Sequence, residues 1–183
     1  MAIIRSRVFG HEAQRFGDDA PLIDSAEKLV AYAQRHHIRI VPLDLDAIAS
    51  RLGVHIKKVR LEGDLSGRLY KSEDSGQWVL EVNESHHANR QRYTIAHELG
   101  HFCLHKHLSQ LFEDQVFFRG AESSKEEWQA NDFAGAILMP ESQFRRLVRS
   151  GVTDIESLAE KFGVSSLALR IRAKNLGFSG HGL

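Results

Sequence analysis

The stretch Arg92-Tyr-Thr-Ile-Ala-His-Glu-Leu-Gly-His-Phe-Cys-Leu-His105 decides how this chain reads. Inside it, His97-Glu98-Leu99-Gly100-His101 is an H-E-x-x-H, and a 183-residue chain with 11 His is expected to hold such a match by chance only about 0.05 times. On an α-helix, residues four apart lie about 40° around and about 6 Å along the axis, so both imidazoles can reach one metal ion. At about 100° per residue, Arg90, Tyr93, Thr94, His97, His101 and His105 gather on one side and Ile95, Leu99, Phe102 and Cys103 on the other. The spacing predicts an amphipathic helix from Asn89 through His107 whose apolar side anchors in the core while its histidine side lines a cleft. Cys103 belongs with the packing side.

The rest of the chain sets the context. Lys+Arg and Asp+Glu balance at 24 each, so bulk charge does not point to nucleic acid, and the length suits one domain. The start, Met1-Ala2-Ile3-Ile4-Arg5, is too short an apolar run for a signal peptide, and no later run approaches a membrane span. A lone cysteine excludes an intramolecular disulfide and a Cys-rich zinc site, which suits a cytoplasmic protein. Six of the 11 histidines fall between positions 86 and 107.

Residues 1–24 read as an arm of uncertain order. Asp24-Ser25 caps a first helix, and Pro42-Leu43-Asp44 opens a second that Gly53 closes. From Val54 to Asn83 the pattern turns to strands, with Asp74-Ser75-Gly76-Gln77 as a turn into Trp78, Leu80 and Val82 on one face, so a small, mostly antiparallel sheet is expected. After His107 an irregular stretch leads to Ser124, where a helix runs to Met139 and stops at Pro140. The fold class is α+β, with a core over 25–140 and a helical region over 141–183. Asp44–Val54 and Asp154–Val164 echo each other, which shared capping chemistry explains without a common function.

A catalytic zinc site needs a third protein ligand and an open position. His107 has the offset of the third ligand in H-E-x-x-H-x-x-G-x-x-H, but Leu104 stands where the chain-reversing glycine belongs. Its rival is Glu127, with Asn131 one turn later able to accept a hydrogen bond from a ligand imidazole. Glu127 also fits a helix cap, a role that Glu126 can fill instead. On these residues the choice stays open.

Arg92–His105, then Glu127-x-x-Ala-Asn-x-Phe-Ala, then Ile137-Leu-Met-Pro140 resemble the ImmA/IrrE family of zincin-like metallopeptidases, and the likeness extends from about Pro42 to about Leu176. The resemblance implies His97, His101 and Glu127 as ligands of Zn²⁺, with Mn²⁺ or Fe²⁺ also compatible with such a set, and Glu98 as the acid/base. It implies a protein substrate, a helix-turn-helix repressor made alongside, whose cleavage relieves repression. Gln129 departs from the acid that many relatives carry, at a position outside the implied ligand set. The extra DNA-binding or sensory domain of some relatives has no room here.

The chemistry expected is hydrolysis by a metal-activated water, with Glu98 moving the proton and Tyr93 or His105 as candidate donors to the oxyanion. The substrate is expected to lie antiparallel to an edge strand, taken to be Trp78–Asn83. Two other readings remain. Leu158 to Lys174 resembles a helix-turn-helix, but the net charge of 141–183 is only +3 and Ser166, Arg170 and Lys174 make a thin polar stripe, so packing or a protein partner is favoured over DNA. A metal-stabilised regulatory module without turnover would have no use for Glu98.

Overall fold

The computed structural model describes residues 22–115 and 124–178. Residues 1–21, most of the expected arm, lie outside the described residues.

Helix α1 (Ala26–Arg35) starts where the Ser25 side chain accepts from the Lys28 amide, and α2 (Leu45–Arg51) where Asp44 accepts from Ala47. Each cap satisfies a first-turn N–H that has no partner within its helix. Past α2 the chain turns at Gly53, whose φ of +74° suits a residue without Cβ. Strands β1 (Val54–Val59), β2 (Leu65–Lys71) and β3 (Trp78–Asn83) follow, then α3 (Ala88–His105) and β4 (Leu111–Gln115). The remaining elements are α4 (Lys125–Leu138), capped by Ser124, then α5 (Glu141–Arg149), α6 (Ile155–Phe162) and α7 (Ser166–Asn175). No helix among the described residues is long and apolar enough to cross a membrane.

The architecture is α+β. The four strands run in the order β1-β3-β2-β4, with β1 and β3 parallel and the other two pairings antiparallel. This order corrects the expectation that Trp78–Asn83 is an edge: β3 is hydrogen-bonded on both sides, by β1 and by β2, and the edges are β1 and β4. Strand β4 lies in a stretch whose sequence reads as irregular. Its residues Leu111-Phe-Glu-Asp-Gln115 carry little β preference, and pairing of Tyr70 with Leu111 and of Leu69 with Phe112 makes the strand.

One core joins the layers, with Leu29, Ile48, Leu69, Leu80, Leu99 and Ile137 fully buried in it. The C-terminal helices join this core through Phe144, whose ring stacks on Phe162 at 5.8 Å. Helix α3 is buried on every side from Thr94 to Phe102, while the start of its polar side, at Arg90, Tyr93 and Thr94, lines a cavity. Two glycines make this burial possible. A Cβ at Gly100 would stand 3.1 Å from Ala130 Cα, so its absence lets α4 close on α3; a Cβ at Gly67 would stand 2.5 Å from Thr94 Cγ2, so its absence lets β2 do the same. The turn between α6 and α7 is tied to the start of α3 by Asn89, which donates to the Val164 carbonyl at 3.0 Å, and by Arg92, which donates to those of Gly163 and Leu43 at 3.0 Å each.

Candidate metal centre

Helix α3 carries His97, Glu98 and His101 into the interior at 0%, 0% and 3% exposure, and ends at His105, one turn after His101 and as buried. His107 lies past the helix end and is exposed, away from the other histidines of the group. Helix α4 brings Glu127 to the same place.

The three side chains converge. His97 Nε2 and His101 Nε2 stand 3.0 Å apart, Glu127 Oε1 lies 3.1 Å from His101 Nε2, and Glu127 Oε2 lies 3.3 Å from His97 Nε2. Two ligands of a tetrahedral ion with bonds of about 2.0–2.1 Å are separated by about 3.3 Å, so the spacing of the donor atoms fits one tetrahedral metal ion. The donor types fit as well, two imidazoles and one carboxylate.

The electrostatics agree with the geometry. The His101 and His97 imidazoles beside it hold the Glu127 carboxyl far below the usual carboxylate range, so it stays an anion. Burial pushes the His97 imidazole below the ordinary histidine range, opposed by Glu127 and by the Asn131 side chain. Both biases favour the lone-pair forms that bind metal.

The surrounding residues hold these groups in place. The His101 ring stacks on Phe112 of β4 at 4.8 Å, and its Nδ1 lies 3.2 Å from His105 Nδ1. His105 Nε2 in turn lies 3.0 Å from Gln129 Oε1, so both nitrogens of His105 are engaged within the protein. The Tyr93 hydroxyl donates to the Asn131 carbonyl at 3.3 Å, joining α3 to α4 beside the site. Glu98 lies toward β2, where a Cβ at Gly67 would stand 3.7 Å from its Oε1. Cys103 stays out of the group, packed against the core, and burial pushes its thiol up to about 12.

Phe112 and Gln129 also belong to the site, and neither is recognisable as part of it from the sequence. Phe112 sits in the stretch read as irregular and gave no cue. The closeness of β2 did have a cue, since a glycine inside a strand often marks an approach by another chain segment. Next to the site, a cavity of about 620 Å³ runs between α3, α4 and α7, from Tyr93, Thr94 and Asn131 to Met139, Leu167 and Ile171.

The sequence model of the IrrE N-terminal-like domain, a peptidase family, matches residues 33–174. The Metallopeptidase ImmA of Bacillus subtilis (strain 168) is 27% identical over 117 residues, which are 63% of this chain and 66% of the relative. Among solved structures, a Mycobacterium tuberculosis transcriptional regulator shares the fold with a TM-score of 0.56 at 21% identity, over 81% of this chain and 46% of its own. The chain thus spans just under two thirds of the first relative and less than half of the second.

Proposed function

The chain belongs to the ImmA/IrrE family of metallopeptidases through its IrrE N-terminal-like domain, and from that membership we propose that it is a zinc-dependent endopeptidase. The observation that carries the proposal is the meeting of His97 and His101, from the buried helix α3, with Glu127, from α4, their ligand atoms within 4.8 Å of one another, with Glu98 following His97 in the chain.

His97, His101 and Glu127 would hold the ion, which when bound polarises the scissile carbonyl and lowers the pKa of a water. Glu98 takes the water's proton as it attacks the carbonyl carbon and delivers that proton to the departing amine. Its burial beneath β2 removes competing bulk water and strengthens each charge interaction it makes. Zn²⁺ suits the donor set best, and Mn²⁺ or Fe²⁺ are the alternatives.

The substrate is a protein segment bound in extended form. Strand β4 is the edge nearest the metal centre, because Phe112 lies on His101, and an added antiparallel strand there would use main-chain hydrogen bonds independent of sequence. The substrate proposed is a helix-turn-helix repressor made alongside this protein in the cytoplasm, whose cleavage relieves repression. The DNA-binding reading of the last two helices is less favoured. Exposed Leu167 and Ile171 share α7 with Arg170 and Lys174, a mixture suited to protein contact more than to phosphates.

The test is incubation of zinc-loaded wild type and Glu98→Gln with that purified repressor, followed by mass spectrometry of the products. One defined cut by wild type and none by Glu98→Gln is expected. An intact repressor, or equal cutting by both proteins, would overturn the proposal.

A further inference from the structure

The hydrogen bonds behind His101 have a direction, and that direction is set at their far end. A neutral imidazole carries one N–H and one lone pair on its ring nitrogens. His101 Nδ1 faces His105 Nδ1 at 3.2 Å, and His105 Nε2 faces the Gln129 side-chain oxygen at 3.0 Å. Both rings are 3% exposed. The Gln129 oxygen offers only lone pairs, so His105 donates to it through Nε2–H and keeps a lone pair on Nδ1. His101 can then donate Nδ1–H into that lone pair. Its own lone pair is left on Nε2, the atom 3.0 Å from His97 Nε2 and 3.1 Å from Glu127 Oε1.

The reverse direction is incompatible with the site. If the Gln129 amide nitrogen donated to His105 Nε2, His105 would carry its proton on Nδ1 and drive the His101 proton to Nε2. That proton would occupy the place of the metal.

We propose that Gln129 is a positioning residue which, through His105, fixes His101 in the tautomer that binds the metal; the inference rests on the metallopeptidase reading above. The relay joins the two helices of the site twice. Helix α4 supplies the ligand Glu127 directly to the centre and, from Gln129, orients the α3 ligand His101 from behind. Phe112 fixes the plane of the same ring by stacking on its face. Outer partners of this kind typically change metal affinity by about 10–100-fold when removed.

The test compares wild type, Gln129→Leu and Gln129→Glu in three readouts. These are zinc affinity by competition with a chelating dye, thermal unfolding of the metal-free protein, and ring ¹⁵N shifts of the histidines in the zinc-loaded protein. Gln129→Leu is expected to bind zinc about tenfold more weakly or worse while its metal-free form unfolds near the wild-type temperature. Gln129→Glu, which keeps an acceptor and has no donor, is expected to restore wild-type affinity or exceed it. His105 in wild type is expected to show a protonated Nε2 and a bare Nδ1. Equal zinc affinity in wild type and Gln129→Leu, equal weakening in Leu and Glu, or a protonated His105 Nδ1 would each overturn the relay while leaving the metal centre standing. Failure of wild type to bind zinc would overturn the metallopeptidase reading and the relay with it.

Discussion

Gly100→Ala sets two effects of opposite sign against each other at the contact that holds the site together. Alanine in a helix interior is favoured over glycine by about 1 kcal/mol, so α3 alone would gain. In the folded protein the new methyl would meet Ala130 Cα at 3.1 Å, Ala130 O at 3.2 Å and Phe133 Cδ1 at 3.4 Å. Two of these atoms are backbone and have no rotamer to change, so α4 must move by a few tenths of an ångström. Overpacking of this kind costs about 1–3 kcal/mol, which outweighs the propensity gain. The expected net loss is about 1 kcal/mol, or about 2–4 °C in Tm for a chain of this size. Zinc affinity is expected to fall as well, because Glu127 lies one turn from Ala130 and metal sites tolerate only about 0.2 Å of error in ligand distance. Calorimetry of the metal-free protein and a chelator competition read both effects. A Tm raised by the amount helix propensity alone predicts, with zinc affinity unchanged, would refute the reasoning.

The sheet side of the site offers a sharper clash. Gly67→Ala is expected to cost more than Gly100→Ala, because its methyl would stand 2.5 Å from Thr94 Cγ2 and 3.0 Å from the Glu81 carbonyl oxygen; adding Thr94→Ser removes the first contact and should recover part of the loss, as denaturant unfolding of both variants would show. Burial pushes the Cys103 thiol up to about 12 from its ordinary 9.0, so folding favours its protonated form. Stability from this group is therefore full below about pH 9 and declines as pH rises toward 12, and iodoacetamide at pH 8 should label the protein only after denaturant is added. Arg170→Ala with Lys174→Ala should leave repressor cleavage unchanged, and wild type should give no salt-dependent mobility shift with DNA; a shift abolished by this pair would restore the nucleic-acid reading.

The parts of this fold that were legible in the sequence are those fixed by local chemistry. Ser25, Asp44, Ser124 and Ser165 each cap a helix with a side-chain oxygen, and those helix starts could be read directly. The i, i+4 spacing of His97 and His101 fixed their shared face in the same way. What depends on long-range pairing was not legible. Strand β4 exists because β2 is beside it, and β3 is central because β1 joins the sheet on its far side in parallel. The burial of α3 on all sides is likewise a product of α4 and β2 closing on it through Gly100 and Gly67. Gln129 was hidden for a related reason. It lies two residues from Glu127, a spacing that places side chains on different parts of a helix surface, so only the arrangement of α3 against α4 brings it to His105.

The central proposal is that His97, His101 and Glu127 form a metal centre served by Glu98. Elemental analysis of purified wild type, Glu98→Gln and Glu127→Ala tests it most directly. About one zinc per chain is expected in wild type and in Glu98→Gln, with most of it lost from Glu127→Ala. Full metal in Glu127→Ala would contradict the account, since it would place the third ligand elsewhere in the chain.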